Sequence, residues 1–268
     1  MNRSDSILRA ARIAVPTLVT LTVLLRTLAL CLAFDRAPGY FRSGAVLPIL
    51  YYIILGVSAI AFCALPFLVR DRALLPAEAP LSLGRLVAAG VMSLLAAVNA
   101  IYLFANADST AAPALLCALA AMALLAGGAH FLLHFLGERA RTARVLCGYA
   151  MILAAVLLLS ATYFDLRTPM NAPHKVGLHL CMLAIMGSLL ADQRAALGRN
   201  KPRALTVLSL LALLITATVG VSGVVAYLAG VYTDTLYLLQ DLLTVGYALF
   251  VGTRIFVGNA TVESEAVT

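Results

Sequence analysis

The side chains best suited to chemistry in this sequence are concentrated between Tyr163 and Arg194. A short polar segment there separates two apolar runs, and the second run carries a histidine. The ionisable and amide side chains of this polar segment and of the start of the second run are Asp165, Arg167, Asn171, His174, Lys175 and His179. Such groups at membrane depth either bind polar solutes or ions or pair with one another for structure. Because Pro169 and Pro173 restrict the backbone, the segment from Asp165 to Lys175 is either a lid over a site or a rigid connector.

A second pattern, His130-x3-His134-x3-Glu138, places two imidazoles and a carboxylate on one face of a helix. Imidazoles and carboxylates are ligands of transition metals. One helix seldom supplies a complete coordination sphere, however, and no second cluster of histidine or cysteine is predicted at this depth. The sequence therefore predicts no metal and no other cofactor, and it indicates interfacial histidines here.

The composition places these residues in a membrane protein. The 268 residues are 63% hydrophobic and 12% charged, with a mean hydropathy of +1.00, which is outside the range of soluble domains. About twenty apolar residues cross a bilayer as a helix. Eight such runs predict an all-α polytopic bundle with short connections, at residues 13–34, 45–69, 86–106, 112–136, 145–164, 175–192, 204–229 and 235–257.

Basic residues predict the orientation of these spans. Fourteen of the nineteen lie on the side of the two termini and four on the other side, which by the positive-inside rule places both termini in the cytoplasm of a cell membrane. The segment after Phe164 then faces outside. Basic loops beside membrane spans also explain the net charge of +7 without a nucleic-acid partner.

Four polar residues on four different spans are predicted at one depth, in the outer part of the membrane, when about 1.5 Å per residue is counted from the span ends. They are Arg26, Asn99, His179 and Asp241. Arg26 and Asp241 are expected to pair, because neither charge is tolerated alone in hydrocarbon. The layer is then either a binding site, closed by the loop with Asp165, Arg167 and Asn171, or a structural contact that fixes how the first and last spans dock.

A weak internal repeat relates the two halves of the chain. Residues 34–36 resemble residues 164–167, and residues 69–72 resemble residues 191–194. This similarity favours two parallel four-helix units, at 1–137 and 138–257, followed by a short tail at 258–268. The alternative is the general self-similarity of any bundle that is rich in Leu and Ala and has alternating basic loops.

The stretch from Tyr163 to Lys175, together with Asp192-Gln193-Arg194 after the next span, resembles a group of multi-pass membrane proteins of clostridial-type bacteria. Their segment reads Phe-Asp…Pro-Met-Asn-x-Pro-x-Lys, and His174 stands where asparagine or a similar polar residue is expected. The resemblance covers residues 163–194. It implies a bacterial multi-pass membrane protein and supplies no activity.

These patterns lead to one hypothesis and two alternatives. The favoured function is binding or transport of a small polar solute or ion through the outer polar layer, at the interface between the two units. The first alternative is a sensor or assembly protein that recognises a membrane partner or a second copy of itself. The second is an enzyme acting on lipids, which is disfavoured because no catalytic constellation is complete.

Overall fold

The computed structural model is all-α, and its described part contains eight helices long and apolar enough to cross a membrane, as the sequence predicts. The structure describes residues 3–36, 39–68, 82–107, 112–165, 168–199 and 201–265. The helices are α1 Arg3–Ala33, α2 Val46–Leu68, α3 Leu83–Ala105, α4 Ala114–Leu133, α5 Arg141–Phe164, α6 Pro173–Ala196, α7 Pro202–Leu228 and α8 Thr235–Glu265. A 3₁₀ segment, His134–Ala140, joins α4 to α5.

Six of the helices form a closed ring. From α3 to α8 each helix packs against the next one, and α8 packs back against α3. Helices α1 and α2 pack together outside this ring, against α7. Side chains that α6, α7 and α8 direct inward are therefore shielded on several sides, which is the condition for placing polar groups at membrane depth.

The outward faces of the helices are apolar. Large side chains such as Ile60, Leu94, Leu153 and Leu183 are exposed on α2, α3, α5 and α6. In water such a surface would aggregate, whereas in a bilayer it contacts lipid tails. The fold is thus that of an integral membrane protein.

One end of the bundle is closed by three connections that touch one another. A small antiparallel hairpin, which the sequence analysis did not predict, pairs β1 (Phe34–Asp35) with β2 (Tyr40–Phe41). The Phe34 ring lies 5.3 Å from the ring of Tyr232 in the α7–α8 loop. A Cβ added to Gly39 would lie 3.7 Å from Pro169 of the α5–α6 loop. We call this the hairpin end, and the opposite end, at which α1 begins and α8 ends, the terminal end.

The ends of α6 and α7 follow from their sequences. Pro173 and Pro202 begin the two helices, at a position where the missing amide hydrogen is not needed. Gly198 and Gly230 have φ of 78° and 69° and terminate them. In both cases the residue after the glycine donates its amide hydrogen five residues back, as in the Arg199 to Arg194 bond of 2.9 Å.

The predicted division into units at 137/138 falls within the 3₁₀ segment, between two helices that pack directly against each other. The tandem duplication stays a prediction. Helix α8 continues to Glu265, into the stretch predicted as a tail.

Glycine permits a close helix contact in the ring, between α4 and α5. A Cβ on Gly127 would lie 2.6 Å from the Cα of Met151, so a side chain there requires the backbones to separate. We expect Gly127→Ala to lower the free energy of unfolding by about 1–3 kcal/mol through overpacking. The measurement is the unfolding midpoint of the purified protein in detergent.

Gly90→Ala on α3 is the matched control, since nothing lies within 4 Å of its added methyl group. That variant should be neutral or gain up to about 1 kcal/mol from helix propensity. Equal stability of the two variants would contradict the close α4–α5 contact.

Candidate functional site

Arg26 of α1 is buried near the hairpin end, with 3% of its surface exposed. Its Nη1 donates to the hydroxyl of Tyr51 on α2 at 2.9 Å, and its Nη2 donates to the carbonyl oxygen of Pro173 at 3.3 Å. The guanidinium carbon also lies 5.5 Å from the centre of the Tyr51 ring. The charge thus joins α1 and α2 to the start of α6.

Asp241 of α8 is 1% exposed, and its partner is His174 rather than Arg26. His174 Nε2 lies 3.4 Å from Asp241 Oδ2. Among the described residues, no ion pair within 4.0 Å joins Arg26 to Asp241. The sequence predicts that direct pair. Instead, the Tyr51 hydroxyl and the Pro173 carbonyl oxygen accept hydrogen bonds from the guanidinium.

Two glycines provide the space for these charged groups. A Cβ on Gly177 of α6 would overlap Nη2 of Arg26, and a Cβ on Gly223 of α7 would overlap the carboxylate of Asp241. The charged ends therefore lie directly against helix backbone. This arrangement fixes where the guanidinium and the carboxylate can stand.

Tyrosines form the wall of the cluster. The ring of Tyr232 lies 4.4 Å from the His174 ring at an interplanar angle of 32°, and the Tyr237 ring lies 5.2 Å away at 73°. Removal from water raises the pKa of Tyr232, in the α7–α8 loop, so its hydroxyl remains protonated and able to donate. His174 is thus enclosed by two aromatic rings and a carboxylate.

The predicted lid loop is tied to the cluster at its two ends. Tyr237 donates to Oδ2 of Asp165 at 3.0 Å. Lys175, fully buried, donates to the carbonyl oxygens of Asp165 at 2.6 Å and Thr168 at 3.3 Å. Asn171 is exposed at the tip of the loop, and Arg167 lies outside the described residues. Of the predicted loop side chains that the structure describes, Asp165 therefore contacts the site and Asn171 faces away from the protein.

Asn99 and His179, the remaining predicted site residues, lie in different surroundings. Asn99 of α3 is fully buried and donates from Nδ2 to the carbonyl oxygens of Leu95 and Leu239, each at 2.9 Å. It lies beside Gln240, which accepts from Thr162 at 3.5 Å. His179 is only half-buried. Five residues at 100° each place it about 140° around α6 from His174, on a different face from the Asp241 cluster.

Several buried polar atoms at the hairpin end have no hydrogen-bond partner among the described residues. These atoms are Arg26 Nε, His174 Nδ1 and Nε2, Tyr232 Oη, Gln240 Nε2, Asn99 Oδ1 and Asp241 Oδ1. An unsatisfied buried polar group costs about 1–3 kcal/mol, so such a concentration is unusual in a finished core. Together the atoms offer donors and acceptors to a small polar guest.

A different group of side chains has the donor set for a metal. His130, His134 and Asp192 lie together at the terminal end, with one ligand atom from each within 4.8 Å of the others. Of these three, the two histidines were considered for this role from the sequence, together with Glu138 instead of Asp192. Asp192 could not be associated with them without the ring arrangement of the helices.

Comparison with models of known protein families, with curated proteins and with solved structures finds no match for this chain. The geometry of the two clusters is therefore the basis for any functional conclusion. In the cluster around Asp241, sequence reasoning missed His174 as a partner of Asp241. Its signal was the spacing His174, Gly177, Cys181, which forms one buried face at the start of α6.

The contact between Gly223 and Asp241 can be tested by a double-mutant cycle. Gly223→Ala alone should lower the free energy of unfolding by about 1–3 kcal/mol, because its methyl group displaces the carboxylate. In an Asp241→Ala background the same change should cost little, which gives a coupling energy of about 1–3 kcal/mol. Unfolding midpoints of the four proteins in detergent supply the cycle. If the free-energy changes of the two substitutions were additive, the Asp241 carboxylate would not lie against Gly223.

Proposed function

We propose that the protein binds a small polar solute or ion in the cluster formed by Arg26, His174, Tyr232 and Asp241. The observation that carries the proposal is the buried carboxylate of Asp241, whose Oδ1 has no hydrogen-bond partner in the described part of the chain. A buried carboxylate without full partnering is strongly destabilising. A guest that donates a hydrogen bond or brings a positive charge relieves that cost.

The other unpartnered atoms define the guest more closely. His174 Nδ1 and Tyr232 Oη can each accept or donate, and Arg26 Nε donates. The guest therefore carries at least one donor for the carboxylate and one acceptor for the guanidinium. A compact solute with an amine or hydroxyl group next to an oxygen acceptor fits this set.

Access from outside follows from the predicted orientation. With both termini in the cytoplasm, the hairpin end faces outward and the α5–α6 loop covers the cluster. The interior below it is closed by buried apolar side chains, including Ile185, Leu189 and Leu243. Transport would require α6 and α8 to move relative to each other, so that these side chains separate.

Native mass spectrometry of the detergent-purified protein tests the binding proposal. The wild-type chain should carry a discrete small adduct, and Asp241→Asn should lose it because the neutral amide no longer attracts a donor or cation. Asp35→Asn, in the exposed hairpin, is the matched control and should keep the adduct. Unfolding midpoints measured in parallel should show Asp241→Asn to be as stable as the wild type or more stable.

Two results would refute this function. The first is a wild-type chain that is bare or carries only lipid. The second is an Asp241→Asn protein that keeps the adduct but unfolds at a much lower temperature, which would make the carboxylate a structural group.

Single cysteines test the orientation. In a background with the five native cysteines replaced, Asn171→Cys should react in intact cells with a maleimide that cannot cross membranes. Arg199→Cys, exposed at the terminal end, should react only after the cells are opened. The reverse pattern would place the cluster on the cytoplasmic side and remove the proposed access from outside.

A further inference from the structure

The terminal end holds a cluster that is separate from the proposed solute site. His130 lies at the end of α4, His134 begins the 3₁₀ segment, and Asp192 lies near the end of α6. The sequence pattern suggested Glu138 as the third group on the histidine face, but the side chain of Glu138 lies outside the described residues. Asp192 joins the histidines because α4 and α6 both pack on α5.

The three donor atoms form a compact triangle. His130 Nε2 lies 3.3 Å from His134 Nε2, and Asp192 Oδ2 lies 3.3 Å from His134 Nε2 and 3.7 Å from His130 Nε2. A zinc ion with ligands at 2.0–2.1 Å in tetrahedral geometry requires ligand atoms that are about 3.3 Å apart. The triangle therefore matches one face of such a tetrahedron to within a few tenths of an ångström.

The surrounding contacts orient two of the three ligands, His130 and Asp192, toward that position. Nδ1 of His130 lies 2.9 Å from the carbonyl oxygen of Arg144. Since a carbonyl only accepts, Nδ1 carries the hydrogen and Nε2 presents its lone pair. Arg254 donates to Oδ1 of Asp192 at 2.8 Å, which leaves Oδ2 for the cluster. Hydrogen bonds of this kind, behind a histidine and a carboxylate, are the usual support of metal ligands.

We propose that His130, His134 and Asp192 bind one divalent transition-metal ion, preferentially Zn²⁺, within the terminal end of the bundle. Two imidazoles favour zinc over Mg²⁺ or Ca²⁺, which prefer oxygen ligands. The site is buried, since His130 is 0% and Asp192 6% exposed. Three protein ligands leave a fourth position for water or a solute.

The charges around the three ligands lower the affinity of the site for a metal ion but do not prevent metal binding. Arg254 shares the Asp192 carboxylate, so part of its negative charge is already used. The two histidines serve as ligands in their neutral form, and their mutual distance of 3.3 Å disfavours protonation of both. A single metal ion would replace the close contact between the two imidazole nitrogens with two metal–nitrogen bonds. Through His130 and Asp192 it would also link α4 to α6.

Metal analysis of the protein tests this site. The chain is purified without a histidine tag, stripped of metal with EDTA and loaded with Zn²⁺. Elemental mass spectrometry then gives the zinc content per chain, and competition with a chromophoric chelator gives the affinity. We expect one zinc per chain. His134→Gln should weaken zinc binding at least about 100-fold, and Asp192→Asn should do the same. His179→Gln, at the other end of α6, is the matched control and should leave binding unchanged.

A second measurement does not depend on the folding of any variant. The wild-type protein loaded with Co²⁺ should show the intense visible absorption of tetrahedral cobalt, and added Zn²⁺ should abolish it. A wild-type chain that retains far less than one equivalent of zinc would overturn the proposal. So would His134→Gln protein that binds zinc as tightly as the wild type, or a Co²⁺ spectrum of octahedral hexaaqua type.

Discussion

The cost of removing charge from water governs this structure. Several charged side chains, among them Arg26, Asp192, Asp241 and Arg254, are nearly fully buried on helices of a membrane bundle. Each one requires compensation from neighbouring polar groups, and the helices that carry those groups are fixed relative to one another as a result. Apolar packing alone, which is weakly directional, would not select one rotation for each helix.

The free-energy cost of burying charge is compensated differently at the two ends of the bundle. At the terminal end both oxygens of Asp192 have close partners, Arg254 on one side and the two histidines on the other. At the hairpin end Asp241 contacts His174 at 3.4 Å without a hydrogen bond. A buried cluster whose polar atoms lack partners is the kind of place where proteins bind ligands. This difference between Asp192 and Asp241 is why we propose the solute site at the hairpin end.

Much of the architecture could be predicted from the sequence, because hydropathy and the length needed to cross a bilayer determine the spans directly. All eight predicted spans coincide with helices. Counting residues along the spans also predicted one depth for Arg26, Asn99 and Asp241, which stays a prediction, and all three are buried in the bundle. Depth in a membrane depends on distance from a helix end, which a single sequence specifies.

Rotation about the helix axis and the choice of partners could not be predicted in the same way. His179 is only half-buried and lies on another face of α6, and His174 contacts Asp241 instead. Asp192 reaches His130 because of the order of helices in the ring. These features depend on contacts between helices that are distant in the sequence. The hairpin of residues 34–41 was missed because each of its strands has only two residues.

A high-resolution electron cryomicroscopy structure of the wild-type protein, prepared from native-like membranes without added ligand, tests the central claim most directly. The account predicts density larger than a single water molecule within hydrogen-bond distance of Asp241 Oδ1 and His174 Nδ1. Density for one water, or a direct contact of Asp241 with Arg26 that leaves no space between them, would contradict it.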